Sequence, residues 1–473
     1  MKYVSTRGDA PVLSFDEVLL AGLARDGGLY LPESWPQFSP AEIRDLAGKP
    51  YAEVAFAVLK PFVGGSIGDA DLQRILAETY ADFGHAAVAP LKQLDQRTWL
   101  MELFHGPTLA FKDYALQLLG RLFDHVLSQR GEHVTVIGAT SGDTGSAAIE
   151  ACRDRDRIDI FMLHPKGRTS EVQRRQMTTV LAPNVYNIAL EGTFDDCQDQ
   201  VKAMFNDLDF RDTMNLSAVN SINWARIVAQ IVYYFVAGVA LGAPDRAIAF
   251  SVPTGNFGNV FAAYGAGRMG LPVAQLIVGS NQNDILTRFF DSGTMSVAGV
   301  SPTLSPSMDI QISSNFERLL FDVFGRDGAK VKRVMADFRA GGSFSVTPEE
   351  HQRLRRLFDA HRFDDVETAA EIALRYRESG ELIDPHSAIG TAAARAEARP
   401  EIDAVVALAC AHPAKFPDAV ERAAGVRPAL PERLNDLYER EERCATLAND
   451  LATVQGFIRD KRRGRSQRAK GAA

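Results

Sequence analysis

The sequence predicts an α/β protein with mostly parallel sheets covered by helices, and three observations lead there. From about residue 91 to residue 409, short β-branched runs alternate with helix-forming stretches. At two of these junctions a turn rich in glycine and small polar residues joins strand to helix. Before residue 90 the rhythm is different, with short extended pieces among helices, so a smaller N-terminal α+β domain is expected.

Each element has its own signal. SPAE at 39–42 is a capping box with Pro40 at the first helical position, opening a helix through residues 44–47, with a second from Tyr51. VTVI at 134–137 leads into GATSGDTG and then the helix-forming SAAIEAC. Strands are expected at 158–163 and 186–190. AIAFSV at 247–252 runs into PTGNFGN and a helical VFAAYGAGRMG, and strands at 273–278 and 404–409 complete the set. A second capping box, TPEE at 347–350, opens a region expected to be helical to about residue 377. The portion after residue 428 reads as helical and charged. The expected division is 1–90, then a core of two subdomains at 91–427, then a helical segment with a basic tail at 428–473.

A chain of 473 residues is long enough for two or three domains with their own cores. A net charge of -8 argues against a nucleic-acid binder. Seven Lys or Arg against one Asp fall within 459–473, so the rest carries about -14; that tail is read as a solvated terminus. Cys152, Cys197, Cys410 and Cys444 lie far apart without a CxxC pair, which favours a reducing compartment. The N-terminal residues show neither a signal-peptide core nor a transit peptide. Residues 227–244 carry no charge, but Gln230 and two tyrosines make them a buried helix rather than a membrane span. The expectation is a cytoplasmic protein without membrane or nucleic-acid partners.

Ligands of parallel sheets bind at the carboxyl ends of strands. PTGNFGN offers backbone N–H groups and a helix N-terminus to an anion, so Gly255, Asn256, Phe257, Gly258 and Asn259 are candidates for a phosphate; the residues alone equally allow a tight βα turn. The run is neither GxGxxG nor a Walker loop, which counts against a nicotinamide dehydrogenase or an ATPase. In TSGDTG the hydroxyls of Thr140, Ser141 and Thr144 suit a carboxylate, while Asp143 is either functional or a helix cap. Lys112 has the apolar flank Leu109, Ala110 and Phe111, the setting that makes a lysine nucleophilic, although Asp113 offers it an ordinary ion pair. Cys410, His412 and Lys415 follow the last strand. No third or fourth ligand at suitable spacing supports a metal there, so none is expected. His386 in DPHSAIG suits either a general base or a structural role at a helix start.

Seven motifs in one order, STRG at 5–8, DGGLYLP at 26–32, FHGPTLAFKD at 104–113, ATSGDTG at 139–145, NSINWAR at 220–226, SVPTGNFGN at 251–259 and HPAKF at 412–416, resemble the threonine synthases of the bacterial and fungal branch. The resemblance runs from the first residues to about residue 417. It implies a pyridoxal-phosphate (PLP) enzyme with a tryptophan-synthase-β-like fold, acting on O-phospho-L-homoserine as a monomer or weak homodimer. It implies Lys112 as the Schiff-base lysine, Gly255 to Asn259 at the cofactor phosphate and Asp143 near the 3′-oxygen. Thr140, Ser141 and Thr144 would hold the substrate's α-carboxylate, with Arg226 and Lys415 at its phosphate. Cys410 stands where the branch has a threonine facing the pyridine nitrogen, a weaker but still neutral partner. Two rivals are a sibling PLP lyase on a related phosphorylated amino acid, and a non-catalytic homologue, which the retained Lys112 and both anion loops oppose.

Overall fold

The computed structural model describes residues 1–218 and 222–463; Asn220 and Ser221 of the NSINWAR run and residues 464–473 of the basic tail lie outside the described residues. Along the chain, the elements that position chemistry are strand β1 (Thr98–Glu102), helix α1 (Lys112–Arg130), strand β2 (Val134–Ala139), helix α2 (Asp143–Cys152), helix α3 (Trp224–Ala240), strand β3 (Ile248–Pro253), helix α4 (Gly258–Arg268), helix α5 (Pro385–Glu397) and strand β4 (Val405–Ala409). The chain divides into two compact units that interleave in sequence: residues 1–115 with 221–428, and residues 116–220 with 429–473.

The first unit is built on a six-stranded sheet in the order Phe358–Arg362, Val273–Ser280, β3, β4, β1, Leu91–Gln93. All its pairings are parallel except that of Leu91–Gln93 with β1. Strands buried on both faces read as continuous apolar runs, and β3 and β4 are buried throughout. On one face, Ile389, Ala392 and Ala393 of α5 pack with Ala249, Ile277 and Ala407 of the sheet. Helix α3 is apolar nearly all round and buried, the pattern of a helix enclosed by protein. Among the described residues no helix is long and apolar enough to cross a membrane. At the N-terminus, Tyr3–Ser5 pairs antiparallel with Tyr30–Pro32, and the Ser39 capping box opens Pro40–Arg44 as expected.

The second unit holds a five-stranded parallel sheet in the order Ala445–Ala448, Val185–Glu191, Ile158–Pro165, β2, Leu216–Ser217. Its core joins Ile137, Phe161, Leu163 and Ile188 of the sheet to Met204, Phe210 and Ile458 of the covering helices.

Two regions differ from expectation. The helix opened at Thr347 stops at Arg355, and Phe358–Arg362 becomes the edge strand beside Val273–Ser280 before a new helix, Asp365–Ser379. The portion after residue 428 likewise includes a strand, Ala445–Ala448, pairing with Val185–Glu191. Both are short edge strands whose state is set by the neighbour they pair with, which outweighs local propensity.

Candidate active site

In the first unit, three adjacent strands, β3, β4 and β1, end side by side, and the segments after them carry most of the predicted site. The segment after β1 is laced to the end of β4. Leu103 N–H donates to the Ala409 carbonyl at 3.0 Å, Phe111 N–H to the Cys410 carbonyl at 2.8 Å, and His412 N–H to the Leu109 carbonyl at 3.0 Å. These bonds fix the start of α1, so Lys112 stands beside Cys410. Lys112 is 8% exposed, with Nζ 4.9 Å from the centre of the Phe111 ring.

Asp113 faces away from the role of a simple partner for Lys112. It is fully buried and closes its own loop: Thr108 donates to it from the backbone N–H at 2.8 Å and from Oγ1 at 2.6 Å. Burial pushes its carboxyl up to about 6, against the pull of the Thr108 bonds and the nearby Lys415 charge. Lys415, expected at a substrate phosphate, is 0% exposed and donates through Nζ to the Thr108 carbonyl at 2.6 Å. Cys410 is buried; its N–H donates to Ser387 Oγ at 2.9 Å. Both ring nitrogens of His386 are held: Nδ1 meets Asp384 at 2.7 Å, and Nε2 accepts from the Ser307 N–H at 3.3 Å.

The turn after β3 has the shape of an anion cradle. Phe257 takes a left-handed backbone, φ 60°, and is the residue from which α4 starts. The Gly255 carbonyl accepts from Ser313 Oγ at 2.7 Å, and the Asn256 carbonyl from Asn315 N and Nδ2 at 3.1 and 3.0 Å. In a trans peptide the N–H points opposite to the carbonyl, so the N–H groups of Asn256 and Phe257 face away from that support. The first helix bond runs from Phe261 N–H to the Phe257 carbonyl, leaving the N–H groups before it for a ligand. A Cβ on Gly255 would lie 3.1 Å from the Ser307 carbonyl oxygen, so the turn is closely packed at that glycine.

Two buried polar groups make the fit to phosphate concrete. Asn259 Nδ2, in the first turn of α4, finds no partner among the described residues. Nor do Nε and Nη1 of Arg226, in the first turn of α3 and 4% exposed; burial lowers its guanidinium to about 10. A buried cation without a counterion is costly unless an anion joins it.

The second unit carries the other predicted turn, after β2. Gly142 has φ 146°, a conformation closed to other residues, and a Cβ there would lie 2.4 Å from Gln173. Thr140 is buried and its Oγ1 accepts from the N–H groups of Gly142 and Gly145, both at 2.9 Å, which folds the turn. Ser141 and Thr144 are partly exposed. Asp143 is buried in the first turn of α2, and its Oδ1 accepts from Gln173 Nε2 at 2.9 Å.

Sequence reasoning missed Gln173, Asn315, Tyr233 and Tyr234. The last two had a signal: they lie seven and eight positions after Arg226, hence on one helix face with it. Gln173, from the helix Glu171–Thr178, and Asn315, at the start of the helix Phe316–Val323, are distant in sequence from the turns they meet and left none.

The family description "Threonine synthase N terminus" matches residues 2–80, "Pyridoxal-phosphate dependent enzyme" residues 85–337, and "Threonine synthase, C-terminal" residues 387–458. Threonine synthase of Pseudomonas aeruginosa is 60% identical over 459 residues, covering 97% of this chain and 98% of that one. Threonine synthase of Saccharomyces cerevisiae is 40% identical, with 97% and 98% covered. The crystal structure of PLP-bound threonine synthase from Brucella melitensis superposes with a TM-score of 0.96 at 57% identity, covering 98% of this chain and all of that one. Yeast threonine synthase gives 0.93 at 38% identity, with 97% and 98% covered. With family descriptions and relatives matched over nearly its whole length, the chain belongs to the threonine synthase family of PLP enzymes.

Proposed function

We propose that the chain converts O-phospho-L-homoserine and water to L-threonine and phosphate, by γ-elimination and β-addition of water, as the last step of threonine biosynthesis. The observation that carries the choice of a phosphorylated substrate is Arg226, a buried guanidinium whose Nε and Nη1 have no partner among the described residues. PLP, when bound, supplies an electron sink for the negative charge that forms on substrate carbon.

The chain's own residues divide the remaining work. Lys112 carries the cofactor and, once released, moves protons through Nζ. Gly255, Asn256, Phe257, Gly258 and Asn259 would hold the cofactor phosphate, with Cys410 the partner for its ring nitrogen and Asp143 for its 3′-oxygen. The substrate α-carboxylate goes to Thr140, Ser141 and Thr144, with the partly exposed Ser141 and Thr144 the readier donors. Arg226 takes the substrate phosphate and stabilises its charge as it leaves. Lys415, with its ammonium on the Thr108 carbonyl, serves that phosphate less directly, by holding the Lys112 loop. Four unpaired cysteines support a reducing compartment, and we place the protein in the cytoplasm as a monomer or weak homodimer.

The test is phosphate and threonine release from O-phospho-L-homoserine, with O-phospho-L-serine as comparison. Equimolar threonine and phosphate are expected from the first. Faster turnover of the second, or phosphate without threonine, would transfer the assignment to a sibling lyase.

A further inference from the structure

Helix α3 carries Arg226, Gln230, Tyr233 and Tyr234 on one face, and that face meets the start of α4. Tyr233 and Tyr234 are both fully buried, their rings 4.9 Å apart. Both hydroxyls converge on one side chain. Tyr233 donates to Asn259 Oδ1 at 2.5 Å and Tyr234 donates to the same oxygen at 2.7 Å. Tyr234 also lies 3.0 Å from the Asn259 main-chain carbonyl. Burial raises both phenols well above their ordinary value, so both keep their protons and remain donors.

A carboxamide has one accepting end and one donating end. As the Asn259 amide stands, both phenols donate to Oδ1, and Nδ2 is left facing elsewhere, buried and without a partner among the described residues. Such a donor destabilises the fold until it finds an acceptor. In the first turn of a helix preceded by a glycine cradle, the acceptor that fits is an anionic oxygen. With the amide reversed, its carbonyl oxygen would face that anion and repel it.

We propose that Tyr233 and Tyr234 are positioning residues for the cofactor, setting the Asn259 carboxamide so that Nδ2 donates to the cofactor phosphate. This rests on the reading that residues 255–259 hold that phosphate. Neither tyrosine touches the cofactor; each acts through Asn259.

The experiment titrates cofactor-free protein with PLP and, separately, with pyridoxal, which lacks the phosphate. Tyr233→Phe, Tyr234→Phe and the double variant are each made alone and with Asn259→Ala. Each single phenylalanine variant is expected to weaken PLP by about 3- to 10-fold, one neutral hydrogen bond's worth, with pyridoxal within about 2-fold of wild type. In the Asn259→Ala background the same changes should have no further effect on PLP. Equal weakening of PLP and pyridoxal, or full additivity with Asn259→Ala, overturns the proposal, since a purely structural role predicts both. If Asn259→Ala weakens PLP selectively while the tyrosine variants do nothing, only the positioning role falls. If Asn259→Ala itself leaves the preference for PLP over pyridoxal unchanged, Asn259 makes no phosphate contact for the tyrosines to set, and both readings fall.

Discussion

Replacing Arg226 by methionine should make the cofactor-free protein more stable while disabling it. Methionine keeps an unbranched apolar stem and removes the charge. Burial lowers the guanidinium from 12.5 to about 10, and at 1.36 kcal/mol per pKa unit the charge costs the fold about 3 kcal/mol. Urea unfolding of the cofactor-free Arg226→Met variant should therefore show a gain of up to about 3 kcal/mol. Inorganic phosphate should stabilise the wild type by mass action and the variant much less. Losing charge-assisted bonds of about 1.5–3 kcal/mol each should cut kcat/KM for O-phospho-L-homoserine by about 100-fold or more. Arg226→Lys, which keeps a charge but not the planar fork, should fall between. A methionine variant that is less stable than wild type, or that phosphate still stabilises equally, would refute the argument by showing that Arg226 is a structural residue.

Three other changes probe the surroundings. Asp113 is raised in the fold to about 6 from 3.8, so its contribution to stability is full below about 3.8 and lost as pH rises through about 6. The stability of wild type relative to Asp113→Asn should thus fall by about 2 kcal/mol between pH 4 and 7; a flat difference in paired urea titrations would contradict the burial. Gly142→Ala combines φ 146° with a Cβ 2.4 Å from Gln173, and should cost at least about 2 kcal/mol by thermal melting with loss of phosphate release; a silent variant would show that the turn can relax. Cys410→Ser puts a hydroxyl where the thiol stands and should move the cofactor's visible-edge band while keeping activity within about 10-fold. An identical spectrum would place Cys410 away from the ring.

Much of the site was legible because its signals are local. A turn of glycines between strand and helix declares itself in PTGNFGN and TSGDTG, since backbone geometry there depends on neighbours in sequence. The strands β2, β3 and β4 were legible for the same reason, as apolar runs buried on both faces. Phe358–Arg362 and Ala445–Ala448 were not, because an edge strand of four or five residues takes its state from its pairing. The lacing of the Lys112 loop to residues 409–412 joins segments some three hundred positions apart, and no periodicity encodes it. The same holds for Lys415 on Thr108. Residue type suggested Lys415 as an anion ligand; its bond to the Thr108 carbonyl is a contact that residue type does not reveal.

Lys112 is the residue proposed to hold the cofactor of a threonine-forming enzyme. That role is tested most directly by the absorbance spectrum of the purified protein with PLP, read beside Lys112→Ala and followed by phosphate release from O-phospho-L-homoserine. A visible-edge band that needs Lys112, with threonine and phosphate formed in equal amounts, is the predicted result. A band that survives Lys112→Ala unchanged would contradict it.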